Sequence, residues 1–470
     1  MAQNFDFEYH LYQTYDQYKE KTLSKRRFKH SDLMELISVL KKNKAFNIKI
    51  AGKSVEGREL NLITIGKGQK KVFLWSQMHG DEPTATAAIF DIFNFFNATE
   101  NKEFCDRLFE RVKLYFLPMV NPDGAERFTR RNYYDIDLNR DASRLICPES
   151  KILKSVFDSV KADFGFNLHD QSPRYSVGNS FRPATISFLA PAFNYEKDFN
   201  QIRDNAVRLI GNMYKVLDLF IPGHIAKYSD EYEPRAFGDS FQKWGTSTIL
   251  IESGGWKDDP EKQFIRKLNY ISILSAIKSI AEDSYQTTSK EIYDSIPFND
   301  KFIFDVILRN LTIKNGKEKV KVDVAINLDE FEKSESDRVY YKSQVADIGD
   351  LSTYYGYNDY DLNGYCIEET AVYKEKVFKL DELKKIDFKK YYDKGISTLI
   401  VKKMPGEKFT QFPINVVTNK KTDTSITIGE PANFILKRNN KIEYIIINGF
   451  INKPDKNWEI EGNGLLLNSF

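Results

Sequence analysis

Apolar residues along the chain fall into short blocks whose spacing changes character near residue 285. From Ser31 onward, Leu33, Met34, Ile37 and Leu40 recur at the interval of one helix face, with Ser31 in cap position and Asp32 in the first turn. Residues 46–50 and 59–65 read as a hairpin-like pair of strands, punctuated by Gly52, Gly57 and Gly66. Short apolar runs then alternate with longer helical ones. The run 72–75 stops at a polar loop, 76–83, before a helix over 84–96. Runs at 112–117, 164–168, 188–190 and 248–251 repeat the scheme, and helices over 199–217 and 261–280 follow the last two. Strand, loop and helix in alternation predict an α/β domain over residues 1–285. Its loops past the carboxyl ends of the strands converge on one rim, where such sheets bind ligands.

After Glu282 the pattern becomes β-rich. Short strands are predicted at 302–308, 319–326, 339–341, 398–402, 425–428 and 442–447, separated by Asn-Gly and Asp-x-x-Gly turns. They define a second, sandwich-like β domain over 286–470, in which only the charged stretch 380–390 is expected to be helical.

Charge narrows the function classes. Lys and Arg number 69 against 67 Asp and Glu, a net +2 with no segregated basic face, which argues against a nucleic-acid binder. No apolar run approaches the roughly 20 residues of a bilayer span, so no membrane role is expected. Cys105, Cys147 and Cys366 are too few and too scattered for a disulfide framework or a thiolate metal site. The chain as given opens without a basic and then apolar leader, so a cytoplasmic location is the default expectation, though a trimmed leader would leave no trace.

The polar chemistry collects in the loops. His79 and Glu82, three apart at the mouth of a strand, can reach one ion from a single turn, and His169 ends another strand. Two imidazoles and a carboxylate leave a coordination position open, the pattern of catalytic zinc, one ion per chain. The plain alternative is that these are polar residues without a metal, which is how His10, His30 and His224 are read. Asp170 or a backbone carbonyl would orient the His169 ring. Glu252, ending an apolar strand before Gly254 and Gly255, is the candidate general base, with a salt-bridged strand-end carboxylate as an equal reading. Arg130, Asn139 and Arg140 stand close together in sequence; a guanidinium fork with an amide beside it suits a chain-terminal carboxylate, and a second Arg would meet a developing oxyanion. Ordinary surface pairs are the alternative, and Arg127 and Arg131 are read that way. Tyr232, on a loop over the rim, is a candidate mobile donor, though packing alone would also account for it.

Taken in order, His79-x-x-Glu82, Asn121-Pro122-Asp123-Gly124, Thr129-Arg130, Asp137-Leu138-Asn139-Arg140, Leu168-His169 and Glu252 resemble the zinc carboxypeptidases, the M14 or carboxypeptidase A-like peptidases, over about residues 44–281. The resemblance implies a mixed eight-stranded sheet between helices and zinc on His79, Glu82 and His169. It implies Glu252 as base and then acid, Arg130 on the scissile carbonyl, and Asn139 with Arg140 on the terminal carboxylate. It also implies a closing tyrosine, for which Tyr232 fits best and Tyr228 second. Asp170-Gln171-Ser172-Pro173 departs from the family's Ser and aromatic after the third ligand, and the short interval from Asn121 to Asn139 is closer to compact bacterial members. Arg235, in Tyr232-Glu233-Pro234-Arg235, would serve an acidic substrate.

The expected activity is therefore release of C-terminal residues from peptides. Alternatives are an amidase for N-acyl amino acids or for cell-wall and γ-glutamyl peptides, and a non-catalytic peptide- or glycan-binding protein. The second domain more weakly resembles the composite β-sandwich of urease-like amidohydrolases, in 307–310, 347–351, 361–364 and 429–433. Self-association through it is one expected use.

Overall fold

The computed structural model describes residues 5–331, 340–403, 412–418, 425–453 and 466–467. The chain divides into two compact units, Met1–Lys301 and Phe302–Phe470.

The first unit opens with helices α1 (Asp6–Tyr18) and α2 (His30–Leu40), then strands β1 (Asn47–Lys53), β2 (Glu59–Gly66) and β3 (Lys70–Ser76). Next come α3 (Thr84–Asn97), α4 (Lys102–Arg111), β4 (Val112–Leu117), α5 (Pro122–Arg127) and α6 (Pro148–Val160). Strands β5 (Phe164–Asp170), β6 (Ser176–Val177) and β7 (Ile186–Leu189) lead to α7 (Gln201–Asp218), β8 (Ile225–Lys227), α8 (Phe237–Lys243) and β9 (Ser247–Ser253). Helices α9 (Gln263–Glu282) and α10 (Lys290–Ser295) and the short β10 (Asn299–Asp300) complete it.

Eight strands form one mixed sheet in the order β1-β2-β4-β3-β5-β9-β7-β8. Strands β4, β3, β5 and β9 run parallel, are buried along most of their length and carry an apolar run at their centres, as strands covered by helices on both faces do. Helix α9 is apolar on most of its surface because it lies in the core against α1, α3 and α7. Helix α1 is joined to that core through a buried ion pair. Arg266 on α9 bonds Asp91 on α3, and Asp91 also accepts from the Tyr15 hydroxyl and the Glu20 amide.

Several boundaries differ from expectation for local reasons. Helix α2 begins at His30, so Ser31 lies inside it, and Asp32 turns back to accept from the Lys29 amide. The first unit continues past residue 285 to Lys301 because α10 packs on α7 and β10 pairs with β6.

The second unit contains β11 (Ile303–Asn315), β12 (Glu318–Phe331), β13 (Tyr340–Gly349), β14 (Tyr355–Asp361), β15 (Cys366–Glu369) and β16 (Ala371–Phe378). Short helices α11 (Leu380–Leu383) and α12 (Lys389–Tyr392) stand where one helix was expected. Strands β17 (Ile396–Val401), β18 (Asn415–Val417), β19 (Phe434–Arg438), β20 (Lys441–Ile447), β21 (Phe450–Asn452) and β22 (Leu466–Leu467) follow. The larger sheet runs β13-β12-β11-β15-β19-β20-β21, with β14 also on β11, and the smaller runs β16-β17-β18-β22. Alternation along β19 and β20 explains the layering: Phe434, Leu436 and Ile446 enter one core, while Ile435, Ile445 and Ile447 enter another with Leu399 and Val416 of the smaller sheet. Of the expected strand 339–341, Val339 lies outside the described residues, and 425–428 forms no strand.

Candidate metal centre

The centre is built on loops that leave adjacent parallel strands. After β3 the chain makes a tight turn, closed by the Glu82 amide donating to the His79 carbonyl at 3.2 Å, which turns both side chains the same way. Gly80 has to be glycine here, because a Cβ would collide with the backbone of Gly124 on α5. The next strand, β5, supplies His169. The next again, β9, supplies Glu252, paired across the ladder with His169 itself.

His79 Nδ1 lies 2.8 Å from Glu82 Oε1, and His169 Nδ1 lies 2.7 Å from Glu82 Oε2. These three residues form a buried group whose candidate ligand atoms all lie within 4.8 Å of one another. The other nitrogen of His79, Nε2, is 3.0 Å from Asp137 Oδ1. A neutral imidazole has one N–H, so it cannot satisfy carboxylate oxygens on both sides; only a second proton or a cation on the Nδ1 side can. The donor set thus fits a metal ion, and one zinc on His79, Glu82 and His169 accounts for it.

Protonation follows the same logic. Burial opposes charge on His79, but Glu82 and Asp137 outweigh it and push the imidazole up to about 9. Burial would raise Glu82, yet the two histidines hold it well below the usual carboxylate range. His169, its Nε2 buried without a hydrogen bond to any described residue, is lowered chiefly by burial. Asp170, expected, with a backbone carbonyl as the alternative, to orient that ring, makes no hydrogen bond to it among the described residues and instead accepts from Thr84 Oγ1 at 2.6 Å and Lys262 Nζ at 3.2 Å. Glu252 is raised well above its ordinary value by burial and by the nearby Glu82 charge.

Arg130 donates from its NH1 nitrogen to Glu82 Oε1 at 2.9 Å and from Nε to Asp137 Oδ2 at 3.2 Å, so its half-exposed guanidinium borders the metal group. Asp137 also accepts from the Asn139 amide at 2.8 Å, opening the single turn that carries Asn139 and Arg140. Asn139 is buried, and its Oδ1 accepts from the Phe237 amide at the start of α8, which leaves its NH2 group as the donor. Arg140 is half-exposed, 3.6 Å from Glu233. Arg235 is engaged by that same Glu233, through bonds of 2.9 and 2.6 Å.

Tyr232 packs edge-on against Tyr195, with Lys243 Nζ 3.4 Å from its hydroxyl. Tyr228 is the tyrosine within electrostatic reach of Glu252; burial and that carboxylate raise its hydroxyl above the ordinary value, so it stays a donor. The loop between the two tyrosines is fastened by the fully buried Arg203, which donates to Asp230 Oδ2 at 2.7 Å. Gln171, one of the departures from the family pattern, donates to Ala184 O and Ser187 Oγ and accepts from Asn299, so it braces the strand ends. The sequence reading gave no role to Asp137, although its place two residues before Asn139 was the available signal. It also missed Lys262, which had no signal among so many lysines and arginines.

Residues 33–186 match the zinc carboxypeptidase family, peptidase M14. A probable carboxypeptidase 2 of Trichophyton verrucosum is 26% identical over 160 residues, covering 32% of this chain and 30% of its own length. An uncharacterized protein of Zymomonas mobilis is 24% identical over 139 residues, covering 29% of this chain and 36% of its own. Among solved structures, a metallo-carboxypeptidase from Pseudomonas aeruginosa aligns at 17% identity with a TM-score of 0.43, covering 54% of this chain and 68% of that one. The chain spans less than a third of the length of the curated carboxypeptidases it matches. Within the matched span 33–186 lie His79, Glu82 and His169, so the part of the first unit that resembles the zinc carboxypeptidase family is the part that carries the candidate metal ligands.

Proposed function

We propose that the protein is a zinc-dependent carboxypeptidase that releases C-terminal residues from peptides. One observation carries the reading: the three ligand atoms converge within 4.8 Å, and Glu252 stands on the strand rung opposite the ligand His169.

A zinc ion held by His79, Glu82 and His169 supplies an electrophile that polarises a carbonyl and makes a nearby water more acidic. Glu252, whose buried carboxylate has raised proton affinity, takes the proton from the attacking water and delivers it to the leaving amine. Arg130, already turned toward the metal group, stabilises the oxyanion as the carbonyl carbon becomes tetrahedral. Asn139, through its free amide NH2, and Arg140 hold the substrate's terminal carboxylate and fix the register of the scissile bond. Tyr228 keeps a proton and serves as a donor beside Glu252.

The test is Glu252→Gln. Zinc content should stay at one per chain while kcat on unblocked peptides falls by about 10²–10⁴. Loss of zinc with the mutation, or unchanged turnover, would overturn the assignment.

An amidase for cell-wall or γ-glutamyl peptides, the specialty of compact bacterial members, is the second reading. It is favoured by Gln171 replacing an aromatic beside the third ligand and by Glu233 lying between Arg140 and Arg235. The likeness of the second unit to the amidohydrolase β-sandwich, and self-association through it, belong to this proposal, as does a cytoplasmic location.

A further inference from the structure

Lys262 is a lysine the sheet has no use for unless it holds something in place. It is 7% exposed and precedes α9 in a left-handed conformation, φ 50°. Its ammonium has three protons and finds three acceptors: Ser253 O at 2.8 Å, Asp170 Oδ2 at 3.2 Å and Gln171 O at 3.3 Å. Asp170 and Ser253 face each other across the β5–β9 ladder, one rung beyond the rung that carries His169 and Glu252. Asn269, further along α9, adds a bond to the Ser253 hydroxyl at 2.9 Å.

We propose that Lys262 is a positioning residue. Its ammonium bridges the ends of β5 and β9 and so sets the separation between the ligand His169 and the carboxylate of Glu252. The inference rests on the carboxypeptidase reading for its kinetic consequence, but its structural consequence is independent of it. Without the bridge, the described contacts leave the Asp170 carboxylate held only from the α3 side by Thr84, and the strand ends are joined there by the Gln171 amide on Ser253 O at 3.0 Å without the charged tie to α9, so the rung bearing the two functional groups can shift. Misplacement by about 1 Å is enough to cost on the order of 10²-fold in rate.

The experiment compares the full-length wild type with Lys262→Met, and with Lys262→Met/Asp170→Asn, which also removes the carboxylate that would otherwise lie buried without its cation. The readouts are zinc affinity by chelator competition, the visible spectrum of the cobalt-substituted protein, and kcat and KM on an unblocked peptide. Expected are a zinc affinity lower by about 10-fold, an altered cobalt spectrum, and a kcat lower by about 10²-fold with KM within about twofold. A residue that merely stabilises the fold would lower the melting temperature and leave the metal readouts of the folded protein at wild-type values, and that result overturns the proposal. If the single variant does not fold, the double variant decides by the same readouts; failure of both to fold makes Lys262 a folding residue and also overturns it. A wild type that binds zinc but cleaves no peptide would refute the carboxypeptidase reading while the zinc and cobalt readouts still judge Lys262.

Discussion

Asp137 touches three parts of the site at once: the outer nitrogen of His79, the guanidinium of Arg130 and the amide that opens the Asn139–Arg140 turn. Such partners fix a ligand's tautomer and ring plane, and their loss typically weakens metal binding by about 10–100-fold. Asp137→Ala is expected to lower zinc affinity within that range, and a chelator titration at wild-type affinity would show that His79 needs no such support. A proton competes with the metal on His79, which is pushed up to about 9 in the metal-free protein. Apparent zinc affinity should therefore rise with pH, by up to about tenfold per unit between roughly pH 6 and 8; the same titration at several pH values checks this. Arg140→Ala should raise KM by about tenfold or more for peptides with a free terminus and leave amidated peptides unaffected. Equal effects on both would remove Arg140 from carboxylate recognition.

Helix α8 shows how an element governs residues it does not carry. Its first amide fixes Asn139, and its Asp239 accepts from the Glu233 amide at 3.0 Å, holding the loop that places Glu233 and Arg235. Burial pushes the Asp239 carboxyl up to about 7. The folded chain keeps this proton to near neutrality, whereas the unfolded chain releases it near pH 4, so this group makes stability fall as pH rises from about 4 to about 7. Asp239→Asn, which still accepts from Glu233, should flatten that slope and raise stability at pH 8 by about 1–3 kcal/mol, read from denaturant unfolding at several pH values. At this scale the legibility of the sequence was uneven. Strands β3, β4, β5 and β9 could be read because burial on both faces gives each a short central run of apolar residues. Helix α1 could not, because its inward face is made of Leu11, Tyr15 and Tyr18 beside a buried Glu8 whose carboxylate meets Ser275. Strand β11 was cut short at Leu308 because Asn310, at φ 59°, makes a bulge that interrupts the period-two pattern while pairing resumes at Leu311. The metal ligands were legible from the His79-x-x-Glu82 spacing only together with the ordered motifs around it, whereas Tyr228 rather than Tyr232 beside Glu252 depends on how a loop is fastened by Arg203, a contact across 27 residues.

At the scale of the whole chain, two units with separate cores should unfold in two calorimetric transitions, only one of which responds to zinc. At free zinc about 100 times the dissociation constant, the first unit gains about 2.7 kcal/mol, so a chelator should lower one melting temperature and leave the other in place. A single transition, or a shift in both, would contradict this independence. The family match ends at residue 186, yet β9 begins only at Ser247 and inserts between β5 and β7. A fragment excised at the limits of that match would therefore be a sheet that stops at β5, stripped of β9, β7 and β8, with a buried strand edge laid open and Glu252 left behind in the discarded portion. Anyone trimming this protein for expression has to cut by the order of its strands and not by the bounds of the matched segment.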